Sequence, residues 1–588
     1  MQLVSKKYLW IVLVILAIGV FVRTYHFESW IHFELDQARD AKVIDLAFEG
    51  SFWDLPLLGP KAGGTFLRLA PGFYYLQYLS GVLFGQSIAG ISWLVAIFSI
   101  LTLPALYFFL RRGFREEISL GLTALASVCV FLVLFGRFGW NPNLLPFFLV
   151  LGFYALLRAV ERDAKYKTRW FLLATFSLAF ATHFHFLAFL AVPTIVGIFL
   201  LVKRARFSWT AWGGALLVVL FLYLPMLVNE VKTGGSNTSE FFGAITEKST
   251  KEERTLLEKG IRNIGEFGQA SVVIMTGYEG ATFPSVTLNS DEFGIACDKK
   301  CDEGKWHGIL GVLFLFFGIF FIIRHWWRAH NWEQADFYLL SLIWLGVALV
   351  LYLPLAFAVA PRFYLLTVPM FFVLLGAILE YIAGFKKGKW LALVLLSALI
   401  VSNGYFLFDR LGQLSRADTE MIENRPDRIL KERVRVTLEQ QEAIVEFLSQ
   451  RYLEKKVPVY MASEPQHQRA LKYLLEERQI PTDGLKFSSI YTEGQYYLVL
   501  RSGENLENRL AKYRDAFEVG EVTFFGTLSV IEMLPKSTAI VGVRQDFSVP
   551  EKQAPSKAPR RYTWREVFGE KTGVELEEES SQDEEEIN

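Results

Sequence analysis

The stretch "YLWIVLVILAIGVFVRTYHFESWIHFELDQARDA", residues 8–41, decides how the chain is read. An apolar run ends near Val22, and within twenty residues Glu34, Asp36 and Asp40 gather around a single Arg39. Lys6 and Lys7 precede the run, as in a signal peptide. No small-residue cleavage site follows it, so it reads as an uncleaved first membrane span. The question is then why a membrane chain carries carboxylates so close to the bilayer surface.

The rest of the 588 residues supports a membrane class. The chain is 52% hydrophobic, only 20% charged, and has a mean hydropathy of +0.31. That is too apolar for a soluble chain of this length. The net charge is +0, which gives no basic footprint for nucleic acid. A span needs about 20 mostly apolar residues. About eleven runs meet that requirement: 8–25, 88–110, 118–136, 143–160, 169–182, 184–202, 210–228, 308–324, 336–358, 363–382 and 389–408. The segment 71–86 is short and aromatic and fits an interfacial helix. "THFHF", 182–186, is read as a turn between two spans. The alternative is one long tilted span, which would reverse everything downstream.

Lysine and arginine set the orientation. "KK" at 6–7, "RRGFR" at 111–115, "KYKTR" at 165–169, "KRAR" at 203–206, "RHWWRAH" at 324–330 and "KKGK" at 386–389 mark one face as cytoplasmic. Loops 26–70, 137–142, 229–307 and 359–362 then face outward. An odd number of spans puts the charged C-terminal part outside as well. The expectation is a multi-pass plasma-membrane protein with a cytoplasmic N-terminus. Its membrane region is 1–409, with a first outer loop and juxtamembrane helices at 26–87 and a large outer loop at 229–307. Helical "EQQEAIVEFLSQRYLEKK" and strand-like "QYYLVLRS" and "VTFFGTLSVIEML" indicate a small extracytoplasmic α/β domain within 410–540. The acidic end, 541–588, reads as a disordered tail.

The outer loops hold the candidate chemistry. Asp36 and Asp40 are four apart and share a helical face. One reading is a helix N-cap and a solvated face. The other is a general base that takes a proton from an attacking hydroxyl. "GPKAGGTFLR", 59–68, offers backbone amides with Lys61 and Arg68, and Arg137 and Arg362 lie at other outer edges. These cations suit a phosphate or simple snorkelling to headgroups. His183 and His185 are polar residues of an outer turn, or substrate or metal contacts. Cys297 and Cys301 form a disulfide if their loop is extracytoplasmic. Free thiols, or a metal site with His307, are the alternatives. Asn237-Thr238-Ser239 matches an N-glycosylation acceptor.

An acid beside a cationic clamp at the bilayer surface suits a lipid-phosphate-linked substrate. The chain resembles the GT-C membrane glycosyltransferases, in the branch of protein O-mannosyltransferases and lipid A aminoarabinose transferases. The resemblance spans roughly 1–410 and rests on the order of its landmarks. They are "ELDQARDA", "GPKAGGTFLRLAPGFYYLQYLSGVLFG", "RFGWNPNLLPFFL", "THFHFLAFL", "LPMLVNEVKTGGSN" and "PRFYLLTVPMF". It implies a polytopic helical GT-C fold, a polyprenyl-phosphate sugar donor, and transfer with inversion to a glycan, lipid or protein acceptor. It also implies Asp36 as the base and Lys61, Arg68, Arg137 and Arg362 around the donor phosphate. Some members use a divalent metal near the acid. Here Gln37 stands where a second acid is common, leaving Asp40 and His183 as possible substitutes. The rival readings are a polysaccharide polymerase or ligase, a lipid-linked sugar flippase or transporter, and a non-catalytic membrane scaffold.

Overall fold

The computed structural model describes every residue except 1–5, 64, 164, 247–253, 290–291, 355–358, 423–426, 504–505, 546–557 and 570–588. The membrane part opens with α1 (Leu9–Thr24) and the amphipathic α2 (Leu35–Glu49). Then come α3 (Gly72–Phe84), α4 (Ile88–Leu110), α5 (Glu116–Val128), α6 (Val130–Phe135), α7 (Leu145–Val160), α8 (Lys167–Ala181), α9 (Phe186–Lys203) and α10 (Trp209–Thr233). It continues with α11 (Ser236–Thr246), α12 (Leu256–Thr276), α13 (Lys299–Trp327), α14 (Trp332–Tyr352), α15 (Val368–Ile382) and α16 (Gly388–Leu414). Seven helices among the described residues are long and apolar enough to cross a membrane: α4, α9, α10, α13, α14, α16, and α7 with its preceding turn. Two shorter apolar helices are α1 and α15.

"THFHF" is a turn. The helix ends at Ala181 and the next begins at Phe186, with His185 accepting the Leu187 N–H as N-cap. The run 118–136 behaves differently from its sequence expectation, because it breaks at Cys129 into α5 and α6. Its loosened backbone is taken up by side chains from other helices. Arg23 of α1, fully buried, donates to the Ser127 and Ala126 carbonyls and to Ser99 Oγ. Asn403 of α16 accepts the Val130 N–H and donates to Met275. In an apolar medium such a break persists only where every freed group finds a partner.

The C-terminal unit contains α17 (Leu438–Lys455), β3 (Val459–Ser463), α18 (Pro465–Glu477), β4 (Thr482–Gly484), β5 (Gln495–Arg501), β6 (Phe517–Phe525) and β7 (Leu528–Pro535). A two-stranded hairpin, β1 (Ser285–Asn289) and β2 (Glu292–Ala296), precedes α13, where Cys297 and Cys301 are joined. The five strands lie in the order β4-β3-β5-β7-β6, parallel on the β3 side and antiparallel on the β7 side. Alternation along β5 buries Tyr497 and Val499 on one face and Tyr496, Leu498 and Leu500 on the other. The first face joins α17 and α18 in a core continuous with that of the membrane helices.

This unit is bound tightly to the loop between α1 and α3. Gln441 donates to the Phe33 carbonyl, Trp30 to Glu439, and Tyr473 to Asp45. Residues 558–569 also run back over that loop, and Tyr491 pairs with Gly542. The expectation of a disordered tail from 541 is therefore corrected for 541–545 and 558–569. These stretches make backbone pairings that charge composition does not reveal. The acidic run at 575–586 lies outside the described residues.

Candidate active site

Glu34 caps α2 with a capping box through Gln37, which puts Asp36 in the first turn. One Asp36 oxygen accepts from Arg39 Nη1 at 2.8 Å and the other from the Trp140 indole at 3.0 Å. The Asp36 side chain is 40% exposed, whereas Asp40 is fully buried. Asp40 receives Arg39 Nε and Nη2 at 2.9 and 2.8 Å. Asp40 thus holds the arginine that holds Asp36. Burial alone would raise the Asp36 carboxyl. The charges of Arg39, Arg362 and Arg469 and the Trp140 N–H outweigh it and leave Asp36 below its ordinary range.

Arg362 enters from the 3-10 turn Pro361–Leu366. Its guanidinium lies over Trp140 and Phe363, 5.4 Å from each ring centroid. No carboxylate or carbonyl among the described residues is hydrogen-bonded to it. The glycine-rich stretch reaches the same place. It is a hairpin in which Gly59 N–H bonds Leu69, Leu69 N–H bonds Pro60, and Lys61 pairs with Arg68. Near its tip, a Cβ on Gly63 would stand 3.4 Å from Arg362 Nη2. Lys61 lies along the Phe66 ring in this hairpin. Two sheet-domain cations add to the field: Arg469 of α18 acts on Asp36, and Lys431 and Arg362 repel each other.

Other proposed ligands have different roles. Arg137 is 3% exposed and donates to the carbonyls of Val22, Tyr25 and His26 at the end of α1. It is a helix-end cap, not a phosphate ligand, because three orphan carbonyls there require a donor. Arg137→Ala should cost about 1–3 kcal/mol in thermal unfolding and leave donor affinity unchanged. Arg68 is 2% exposed and gives its Nε to the Pro559 carbonyl. His183 is buried against Tyr223, and burial lowers it to about 3. Burial and the Arg362 charge likewise lower His185 to about 3. Both imidazoles are therefore neutral. His185 meets Phe363 beside Arg362, while Asp40 is committed to Arg39.

Asp40, His183 and His185 thus do not form a metal site. Each is taken up by packing, capping or an arginine. The cluster with metal-ligand spacing among the described residues is instead His32, Glu34 and Glu432. His32 Nδ1 lies 2.9 Å from Glu432 and Nε2 lies 3.6 Å from Glu34. Glu432 also receives Arg410 and Arg435, so this donor set is already neutralised by cations and fits an ion-pair network better than a metal. Burial opposes the His32 charge, but Glu34 and Glu432 raise it to about 9. Its stabilisation is complete below the unfolded value near 6.5 and is lost as pH rises through about 9. Burial raises Glu34 to about 7, which weakens folding as pH rises from its ordinary value of 4.5 to about 7 and adds nothing above that. Unfolding temperatures measured from pH 6 to 9.5 should therefore fall, and by less in His32→Asn.

Asn237 is not a glycosylation acceptor in this fold. It is fully buried, and its amide accepts the Arg68 N–H and donates to the Arg68 carbonyl.

Residues 68–228 match the sequence model of the family described as dolichyl-phosphate-mannose-protein mannosyltransferase, PMT_2. ArnT from Cupriavidus metallidurans in the apo state shares the fold, with a TM-score of 0.53 at 13% identity. That alignment covers 91% of this chain and 99% of the other. The chain has the fold of this membrane protein, and part of its membrane region is similar to the PMT_2 family. The same ArnT bound to undecaprenyl phosphate aligns with a TM-score of 0.52 at 12% identity, over 92% of this chain and 99% of that chain. No curated protein matches the sequence. Of the residues around Asp36, the sequence reading had Arg39 in view but missed Trp140, Lys431 and Arg469. The tryptophan in "FGWNPN" beside a helix break was the available signal. The other two come from a domain without a motif.

Proposed function

We propose that this chain is a glycosyltransferase that moves a sugar from a polyprenyl-phosphate carrier to an acceptor hydroxyl on the extracytoplasmic side, with inversion and with Asp36 as general base. The observation that carries this reading is an ionised carboxylate beside an arginine that has no hydrogen-bonded acid among the described residues. Asp36 keeps lone pairs beyond those used by Arg39 and Trp140. As an acceptor oxygen bonds to the anomeric carbon, its proton passes to Asp36 and the carrier phosphate leaves with the bonding pair. Arg362, desolvated over two rings, meets the charge that develops on the leaving phosphate. Lys61 and the amides near Gly63 lie on the hairpin that faces it. The bilayer supplies the carrier at this depth, which answers why carboxylates sit at its surface.

The undecaprenyl phosphate bound by the structural relative supports the donor class. Which sugar and which acceptor are used would be decided by the sheet domain and the loops beside α2. The test is release of free polyprenyl phosphate by purified protein from a panel of polyprenyl-phosphate sugars, with and without candidate acceptors. Acceptor-dependent release that disappears in Asp36→Asn supports the reading. Equal release from both proteins returns Asp36 to helix capping.

A further inference from the structure

Residues 558–569 form a strap across the base of the glycine-rich hairpin. Leu57 donates to the Tyr562 carbonyl, and Pro56 pairs antiparallel with Thr563. Asn229, at the end of α10, donates to the Arg560 carbonyl and accepts the Tyr562 N–H. Eight residues later Asn237 brackets Arg68 of the hairpin in the same way. Trp564 donates to Tyr75 of α3, and Arg565 pairs with Asp54 at 2.6 Å. Arg68 Nε then ties the hairpin to the Pro559 carbonyl.

The arginines of this strap are not equivalent. Arg560 pairs with Glu566 and Arg565 with Asp54. Arg561 is only 8% exposed, and its Nη1 is buried without a hydrogen-bond partner among the described residues. No carboxylate pairs with it there. A buried guanidinium N–H without an acceptor is unfavourable, and an anion at Nη1 would satisfy it. Arg561 lies two residues from the carbonyl held by Arg68, on the hairpin whose tip faces Arg362.

We infer that the strap is part of the donor site and that Arg561 binds the phosphate of the lipid carrier, an assignment that rests on the function proposed above. A planar guanidinium with paired N–H groups suits a phosphate better than a lysine would. The C-terminal segment is then a substrate-binding element brought back to the first outer loop.

The experiment measures binding of undecaprenyl phosphate to the purified full-length chain in detergent, with inorganic phosphate as a second probe. Arg561→Gln should weaken lipid binding at least tenfold and abolish the rise in unfolding temperature that the lipid produces. Arg561→Lys should restore part of both, which covers the case that the glutamine variant folds poorly. Arg544→Gln, exposed and paired with Glu493, should change neither. A purely structural Arg561 would lower the unfolding temperature with and without lipid alike and leave the shift intact, which overturns the assignment. Loss of lipid binding in Arg362→Gln with full binding in Arg561→Gln also overturns it, while the functional reading stands. Full binding in both variants overturns both. Inorganic phosphate competing at lipid-like concentrations would make this a free-phosphate site and remove the carrier from the proposal.

Discussion

Asp36→Asn should lower the turnover number about 100- to 10,000-fold, the usual worth of a positioned general base. That corresponds to about 3–5 kcal/mol in the barrier. The substitution keeps the shape of the side chain but cannot take the proton. It also points an NH2 at either Arg39 or the Trp140 indole, both donors to the present carboxylate. Donor affinity should change much less, because Arg362 and the hairpin remain. Asp40→Asn is the informative neighbour: it loosens Arg39 without touching the reacting atoms and should cost less in turnover. Since Asp36 stays ionised below the usual carboxylate range, it predicts no acid limb in the rate profile between pH 5 and 7. An inflection near 7 would instead report Glu34, which burial raises to that value. Turnover of Asp36→Asn within a factor of three of the parent would remove the base from this mechanism.

Glu432→Gln should give the largest loss of stability. Glu432 receives Arg410 at 2.6 Å, Arg435 at 3.2 Å and His32 at 2.9 Å, all largely buried. Asp427 supports the same two arginines at 2.9 and 2.8 Å. Replacing the acid by an amide leaves two guanidinium groups sharing one carboxylate and takes a counter-charge from His32. Removing one partner of a buried ion pair costs about 3–5 kcal/mol. Urea or thermal unfolding in detergent measures it, and a loss below about 1 kcal/mol would place the network in solvent-screened surroundings. Because the network joins α16 to the segment before α2, activity should fall together with stability.

The membrane architecture was legible because the bilayer imposes a length and composition on each helix that local sequence must obey. The turn at "THFHF" could be read because the lysine and arginine pattern on both sides demanded it. The break at Cys129 could not. It depends on Arg23 and Asn403, more than 100 residues away on either side, whose side chains make an irregular backbone tolerable. The site shows the same division. Asp36 and Arg362 stood at recognisable loop positions. Arg137 stood at one too, yet its guanidinium serves three carbonyls of another helix. Which edge cation meets a ligand and which meets a carbonyl depends on packing that no local pattern records. His32, Glu34 and Glu432 illustrate the limit from the other side, since 400 residues separate the partners of one short contact.

The strap and the sheet domain also set a schedule for maturation. The loop between α1 and α3 emerges early in synthesis, yet the groups that fix it, from Gln441 to Arg565, emerge about 400 residues or more later. The loop with Asp36 must therefore wait, partly unassembled, until nearly the whole chain has been made and carried to the same side of the membrane. A chain released early would hold its membrane helices but not an organised loop around Asp36.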